Sequence, residues 1–278
     1  MHFLNSHSHS HNASHPSAGA SSKTPGHVLH LAQIGTDHGT TTNRRDRMWN
    51  EYYFKTYSFV VTKMIGTRRG TLLDVGTSRG YWFRFWKRKG FYPILGVELD
   101  PHRAELAMQT GYDEVYNCDA ADIPLHHDSV DVAVSNDVFV HILELEHKIA
   151  VLREIERVLK PGGTFILNHT MSRAYGYPDY RTVGYCSFLN LHELLSLITN
   201  HTGLRITDIK PTYYNFRDGG ASMVAKIVRH LMVIPLVPTL AFLLDYLHSR
   251  RLPIEQSDSV YLRLCKDAGQ LSPKERAG

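Results

Sequence analysis

Two hydrophobic textures alternate along most of this chain. Short apolar runs give way to stretches in which apolar residues recur every three or four positions, so strand-like and helix-like segments follow one another. From about Arg44, the residues Met48, Trp49, Tyr52, Tyr53, Tyr57, Phe59, Val60 and Met64 are spaced for a helix or two leading into a core. Strands are predicted at Thr71–Val75, Pro93–Val97, Glu114–Cys118, Val130–Ser135 and Thr164–Asn168, and further strands near Ile206–Tyr213 and Val260–Cys265. Helices are predicted over Tyr81–Lys89 and over Pro101–Thr110, the latter with proline in its first turn. Another covers about Leu145–Leu159, where Ile149, Leu152, Ile155 and Leu159 line one face before Lys160-Pro161-Gly162-Gly163 stops it. Asn190 opens a last helix to about Thr202, and Glu193 stands three residues on as a capping-box partner.

Strands and helices alternating at this spacing build crossover units. The expected fold is α/β, a Rossmann-like, doubly wound, mostly parallel sheet of seven strands with helices on both faces. Ligands of such sheets lie at the carboxyl ends of strands, where strand order reverses.

Three stretches break the alternation. Residues 1–40 are read as a disordered His/Ser-rich tail, and residues 41–278 as one domain. Residues 1–36 hold no Asp or Glu, one Lys (Lys23) and one Phe (Phe3), too little apolar surface to offset the entropy of ordering. The imidazoles of His2, His7, His9, His11 and His15 have nothing to pre-organise them for a metal, so none is assigned. Residues 170–189 form an aromatic loop with Tyr175, Tyr177, Tyr180, Tyr185 and Phe188, read as a lid over the substrate, with an aromatic plug on the core as the alternative. Residues 218–255 form an apolar insertion. Its run Leu231–Leu244 holds no charge, yet is flanked by Lys226, Arg229 and His230 before it and by His248, Arg250 and Arg251 after it. Fourteen residues with two prolines are too few to span a bilayer, which takes about 20. Peripheral membrane contact, a buried helical hairpin and a homo-oligomer contact all stay open for this segment.

Composition narrows the function classes. At 278 residues, 42% hydrophobic and 21% charged, the chain is neither fibrous nor wholly disordered. The ionic balance of 31 cationic and 27 acidic side chains, net +4, does not call for a nucleic-acid partner. The cluster Arg79, Arg84, Lys87, Arg88 and Lys89 reads as a solvated helix face. Cys118, Cys186 and Cys265 are odd in number and widely spaced, so neither disulfides nor a zinc cluster is encoded and a reducing compartment fits. No charged segment precedes an apolar one at the start, and the tail lacks Arg. A secretory signal and a mitochondrial transit peptide are therefore not expected, and the location expected is cytoplasmic, with a peripheral membrane position left open.

The candidate chemistry sits just after strands. The first predicted strand runs into Asp74-Val75-Gly76-Thr77-Ser78-Arg79-Gly80, a turn that lets backbone amides approach a ligand. Ser78 and the absence of glycine at 81–83 separate it from the dinucleotide fingerprint. Glu98 closes the second strand, 24 residues after Asp74, where a carboxylate can accept from both ribose hydroxyls. Asp119 follows the third strand, 21 residues further on, and can accept from an exocyclic adenine amine while the next amide donates to the ring. Three acids after three consecutive strands describe a nucleoside site without a pyrophosphate anchor, suited to a ligand with a cationic sulfur and an amino-acid tail.

Taken together, several stretches resemble the class I S-adenosylmethionine-dependent methyltransferase family, in its small-molecule, methyltransferase type 11-like branch. They are Leu72-Leu73-Asp74-Val75-Gly76 with Gly80, Gly96-Val97-Glu98, Asp119-Ala120 with Ile123-Pro124-Leu125, Ser129 through Ser135, and Arg157-Val158-Leu159-Lys160-Pro161-Gly162-Gly163. The likeness covers about residues 70–210. It implies S-adenosyl-L-methionine as cofactor, with Asp74, Gly76 and Gly80 around its methionine portion and Glu98 on the ribose. It also implies Asp119 and Ala120 at the adenine, and Asn136 facing the methyl group and the acceptor. Family members usually carry glycine where Ser78 stands, so a displaced loop and weaker cofactor binding are expected.

The resemblance implies methyl transfer to a small acceptor of lipid-like, quinone or sugar type, at oxygen before carbon. Such transfer depends mostly on alignment and needs a base only when the nucleophile is protonated. His141 is the first candidate base. Resembling quinone-modifying enzymes carry a histidine there behind two acids; Asp137 matches one and Val140 replaces the other, so no metal is assigned. His169, after the fifth strand, is the second candidate. The Asn-Pro-Pro-aromatic sequence of base-methylating enzymes is replaced by Ser135-Asn136-Asp137-Val138, again without a nucleic-acid partner. The alternative is a catalytically silent S-adenosylmethionine-binding or interaction protein. A nicotinamide-dependent oxidoreductase is the more distant rival.

Overall fold

The structure is a computed structural model, and it describes residues 44–172, 181–183, 186–212, 227, 230–231, 234–249 and 252–268. The expected tail at 1–40 and the tyrosines of the 170–189 loop lie outside the described residues. Described helices are α1 (Arg44–Ile65), α2 (Phe83–Arg88), α3 (Pro101–Thr110), α4 (Leu145–Val158), α5 (Leu191–His201) and α6 (Val237–Ser249). Strands are β1 (Gly70–Val75), β2 (Phe91–Val97), β3 (Glu114–Tyr116), β4 (Val130–Ser135), β5 (Leu159–Thr170), β6 (Arg181–Val183), β7 (Cys186–Phe188), β8 (Arg205–Thr212) and β9 (Ser259–Cys265).

Seven of these strands form one sheet in the order β3-β2-β1-β4-β5-β9-β8, while β6 and β7 pair with each other. The pairings from β3 across to β5 are parallel, and β9 runs antiparallel to both neighbours. This is the Rossmann-like α/β sheet expected from the sequence. The chain winds outward from β1 through β2 to β3, then returns to lay β4 on the other side of β1. That reversal creates a crevice at the carboxyl ends of β1 and β4.

Period-two alternation assigns the strand residues to the two faces. Leu73, Val75, Ala133, Phe165 and Leu167 pack with Leu152, Ile155, Leu194 and Ile198 of α4 and α5. On the other face Leu72, Ile94, Val132, Val134 and Ile166 meet Val61, Met64 and Ile65 of α1, together with Phe85 and Trp86 of α2. The predicted stripe Ile149, Leu152, Ile155 and Leu159 is buried. Local signals set the helix starts. Asp100 accepts from the Arg103 amide at 2.9 Å ahead of Pro101, and Asn190 and Glu193 complete the expected capping box.

Several boundaries differ from expectation. The aromatic segment from Arg44 is a single helix, and α2 is reduced to six residues because the turn before it extends through Trp82. Strand β3 stops at Tyr116, where the Asn117 side chain donates to the Glu98 and Leu99 carbonyls. Lys160-Pro161-Gly162-Gly163 does end the helix, but as part of β5: the Gly162 amide donates to the Lys266 carbonyl at 2.9 Å and the Lys266 amide to the Gly163 carbonyl at 3.1 Å.

Candidate functional site

The turn from β1 into α2 is built around glycines that close approach requires. Gly76 has φ +77°, and a Cβ there would lie 2.3 Å from Val138 Cγ2; at Gly80, with φ +80°, it would lie 2.3 Å from Thr110 Oγ1. The amides of Gly76 and Thr77 both donate to the Val97 carbonyl, at 2.7 and 3.1 Å, which ties the turn to the end of β2. Ser78 then adopts φ +50°, and its amide donates to Glu98 Oε2 at 2.8 Å. A left-handed serine costs about 1–2 kcal/mol, and an amide–carboxylate bond offsets it with about 1.5–3 kcal/mol. The bond to Glu98 thus holds Ser78 in a left-handed conformation that glycine would adopt without strain.

Glu98 is buried, and its Oε1 accepts from the Asp100 amide at 3.0 Å. Burial raises its pKa above the ordinary carboxylate value, against the two amide donors and the nearby Arg103 charge. An ionised carboxylate offers about four acceptor positions, so two remain for a ligand's hydroxyls. Asp74 is set differently. It shares a strand face with Leu72 and turns towards α2, where Oδ2 accepts from Trp86 Nε1 at 2.9 Å and from the Tyr112 hydroxyl at 2.5 Å. Burial pushes this carboxyl up to about 6. Only 2% exposed, Asp74 braces the floor beneath the turn.

Asp119 stands at the far end of the crevice. Its Oδ1 accepts from the Ala121 amide at 3.0 Å and lies 3.0 Å from His147 Nε2, on α4. A cavity of about 430 Å³ opens here, lined by Cys118, Asp119, Ala121 and Asp122, with Ala120 half-buried between them. On the other side of β1, Asn136 follows β4. Both its amide oxygen and its amide nitrogen are buried, and neither has a hydrogen-bond partner among the described residues. Arg79, in the glycine turn, likewise has a buried Nε without a partner. Unsatisfied buried polar atoms cost about 1–3 kcal/mol each, so these two side chains suit a polar ligand. The acidic row, the open cavity and the two orphaned groups together fit an adenosyl ligand carrying an amino-acid tail.

The two histidines part company. His141 ends the 3-10 turn Phe139–His141, half-buried, with Nδ1 3.7 Å from Cys186 Sγ. His169 is fully buried: Nε2 accepts from the Leu189 amide at 3.1 Å, which assigns the proton to Nδ1, and Nδ1 has no partner among the described residues. Desolvation holds its pKa well below 6.5, with the Lys148 charge acting in the same direction. The structure thus corrects the expectation for His169, which is a core histidine joining β5 to residue 189 rather than a group facing the crevice. Nearby Lys148 is fully buried, donates to the Phe139 carbonyl and lies 4.8 Å from the centre of that ring.

Sequence reasoning did not find Trp86, Tyr112, His147 or Lys148, and it placed Arg79 on a solvated face. A tryptophan within the short helix α2 (Trp86) and a tyrosine after the helix-ending Gly111 were the available signals for the Asp74 pair. The His147–Asp119 contact spans 28 residues and had no local signal.

Residues 73–167 match the family model described as a methyltransferase domain. An uncharacterized methyltransferase of Mycobacterium ulcerans is 34% identical over 104 residues, which cover 36% of this chain and 39% of that protein. This chain thus aligns with about two fifths of that relative's length. Among solved structures, the complex of the Haloferax volcanii Trm112 methyltransferase activator with its methyltransferase matches with a TM-score of 0.58 at 15% identity, covering 86% of this chain and 96% of that one. The Burkholderia thailandensis 1,6-didemethyltoxoflavin-N1-methyltransferase, solved with 1,6-didemethyltoxoflavin and S-adenosylhomocysteine, gives 0.53 at 16% identity, covering 90% and 93%. At these identities the structural likeness establishes the shared fold.

Proposed function

We propose that this chain, whose residues 73–167 match a methyltransferase domain, is a class I S-adenosylmethionine-dependent enzyme that transfers a methyl group to the hydroxyl of a small, lipid-like acceptor. The observation that carries the reading is Asn136: a carboxamide at the carboxyl end of β4, where strand order reverses, with both polar atoms buried and without a partner among the described residues. S-adenosylmethionine supplies a sulfonium methyl whose departure leaves the neutral thioether S-adenosylhomocysteine.

The residues have separable tasks. Glu98 accepts from the ribose hydroxyls through the acceptor positions that Ser78 and Asp100 leave. Asp119 and the Ala120 amide hold the adenine. Gly76 and Gly80 admit the methionine portion, and the Arg79 guanidinium takes its carboxylate. Asn136 orients the reacting centre, since alignment supplies most of the acceleration in such a displacement. His141 takes the acceptor's proton. Asp74 supports the turn from beneath.

A catalytically silent S-adenosylmethionine-binding protein is the second reading. It is favoured by the burial of His169, which leaves His141 alone of the two candidate bases near the crevice. The deciding experiment incubates the full chain with deuteromethyl S-adenosylmethionine and lipid and metabolite extracts. Methyl transfer predicts S-adenosylhomocysteine together with a product carrying the label. Tight donor binding with no S-adenosylhomocysteine from any extract would overturn it in favour of the silent reading.

A further inference from the structure

We propose that the outer face of α6 docks this protein onto the surface of an anionic lipid bilayer. This goes beyond methyl transfer and does not depend on it.

Helix α6 is apolar on two sides. Its inner side packs on α1: Ala241 and Asp245 are buried, the Tyr52 hydroxyl donates to the Asp245 carboxylate, and Phe242 and Tyr246 lie 5.3 and 4.9 Å from the Phe59 ring centre. On the outer side Leu240, Leu243, Leu244 and Leu247 follow Leu236 at helical spacing, and their exposures are 56, 45, 44, 57 and 78%. A helix lying on a globular surface ordinarily carries polar residues there. Eight of the twelve large hydrophobic side chains exposed among the described residues fall between Ile227 and Leu247, and five of the eight are the leucines of this helix and its approach, so exposed apolar surface is concentrated here.

The charges select the occupant. Within the 218–255 insertion the cations Lys226, Arg229, Arg250 and Arg251 stand against the acids Asp218, Asp245 and Glu255, of which Asp245 is turned inward against Tyr52. At the rim of the face, exposed Lys63 lies 5.1 Å from the Tyr246 ring centre and donates to its hydroxyl at 3.2 Å, a long-stemmed cation beside an aromatic. Arg250 and Arg251 directly follow the helix in the sequence, and anionic headgroups complement such cations together with Lys63. The helix has 13 residues and is about 20 Å long, short of the roughly 30 Å hydrocarbon core, so it lies in the interface rather than crossing it. Phe242, Asp245 and Tyr246 of α6 line a small cleft with Pro211 and Thr212 at the end of β8, and Thr212 pairs with Ser259 as does Thr170 of β5, so this part of the helix lies at the end of the sheet that carries the crevice.

The test is flotation of the full chain, without donor or acceptor, on phosphatidylcholine vesicles with and without phosphatidylglycerol. Binding is expected only with the anionic lipid and should weaken as salt rises. The Leu240→Asp/Leu243→Asp variant should lose at least about tenfold in bound fraction, and Arg250→Glu/Arg251→Glu should lose the preference for anionic lipid by a similar factor. Absence of vesicle binding overturns the proposal, as does binding that both variants retain. So does a leucine-dependent dimer in sedimentation that leaves vesicles untouched. If the leucine variant has lost its circular dichroism signal, the arginine variant decides alone, and an unchanged lipid preference then overturns the proposal.

Discussion

The Ser78 amide donates to Glu98 Oε2 at 2.8 Å, joining the glycine turn after β1 to the acid that ends β2. Two crossover units thereby share one carboxylate, and the position of the turn depends on a side chain 20 residues away. Glu98→Ala removes the acceptor for two backbone amides together with the proposed ribose contact. Cofactor affinity should fall by about 1–3 kcal/mol, and the melting temperature should fall as well. Calorimetry giving an unchanged donor affinity would remove Glu98 from the binding site.

Ser78 itself carries a left-handed backbone that glycine adopts without strain. Ser78→Gly should stabilise the fold by about 0.5–1 kcal/mol, the relief of strain being partly offset by a more flexible unfolded chain. Donor affinity should rise with it, because the amide on Glu98 is kept. Urea denaturation showing a loss of stability would mean that the serine side chain makes contacts outweighing the strain.

Asp74 makes stability depend on pH in the acid range. Its folded pKa of about 6 stands above the ordinary carboxyl value of 3.8, so the folded protein holds a proton that the unfolded chain has released. The stabilising contribution is complete below about pH 4 and is lost as pH rises through 6, a change on the order of 3 kcal/mol. Asp74→Asn keeps an oxygen for Trp86 Nε1 and the Tyr112 hydroxyl but cannot ionise. Denaturation midpoints across this window should lose the Asp74 component of their fall, and an identical slope in both proteins would show that Asp74 is not the titrating group.

The sheet was legible because buried parallel strands are apolar runs and their ends carry the acids and glycines; Asp74, Glu98 and Asp119 could be placed from spacing alone. What those acids touch was not legible. Trp86 and Tyr112 reach Asp74 across 12 and 38 residues, through contacts that exist only once α2 and α3 pack on the sheet. His169 looked catalytic because it follows a strand, but β5 runs on through Thr170 and pairs with β9 along its whole end. The same alternation that identifies a strand decides which of its residues are walled in, and it cannot be phased from one strand without its neighbours.

Lys148 should tilt stability in the opposite direction, at higher pH. Desolvation lowers its ammonium from 10.5 to about 7, with the charge of Cys186 pulling the other way, so the unfolded chain binds a proton that the folded one has lost. Stability should therefore increase between about pH 7 and pH 10 by a few kcal/mol. Lys148→Met should flatten that rise, because methionine fills the volume without a charge, although it leaves the Phe139 carbonyl without its donor. If wild type and variant show the same rise in urea midpoint, the buried ammonium is not its source.

His141 and His169 can be separated by what each substitution harms. His169 is sealed in the core with Nε2 held by the Leu189 amide, so His169→Gln is expected to lower the melting temperature and to affect turnover only as far as folded protein is lost. His141 is half-buried at the end of the 139–141 turn with Cys186 Sγ 3.7 Å away, and His141→Gln should leave both the melting temperature and donor affinity near wild type. Removing a general base typically costs about 10²–10⁴ in kcat, so turnover of the labelled acceptor should drop by at least about 100-fold. A structural role for His141 would instead lower stability and kcat together, and Cys186→Ser would then reproduce the loss. Full turnover in His141→Gln would leave alignment at Asn136 as the source of rate, with the acceptor's proton passing to solvent.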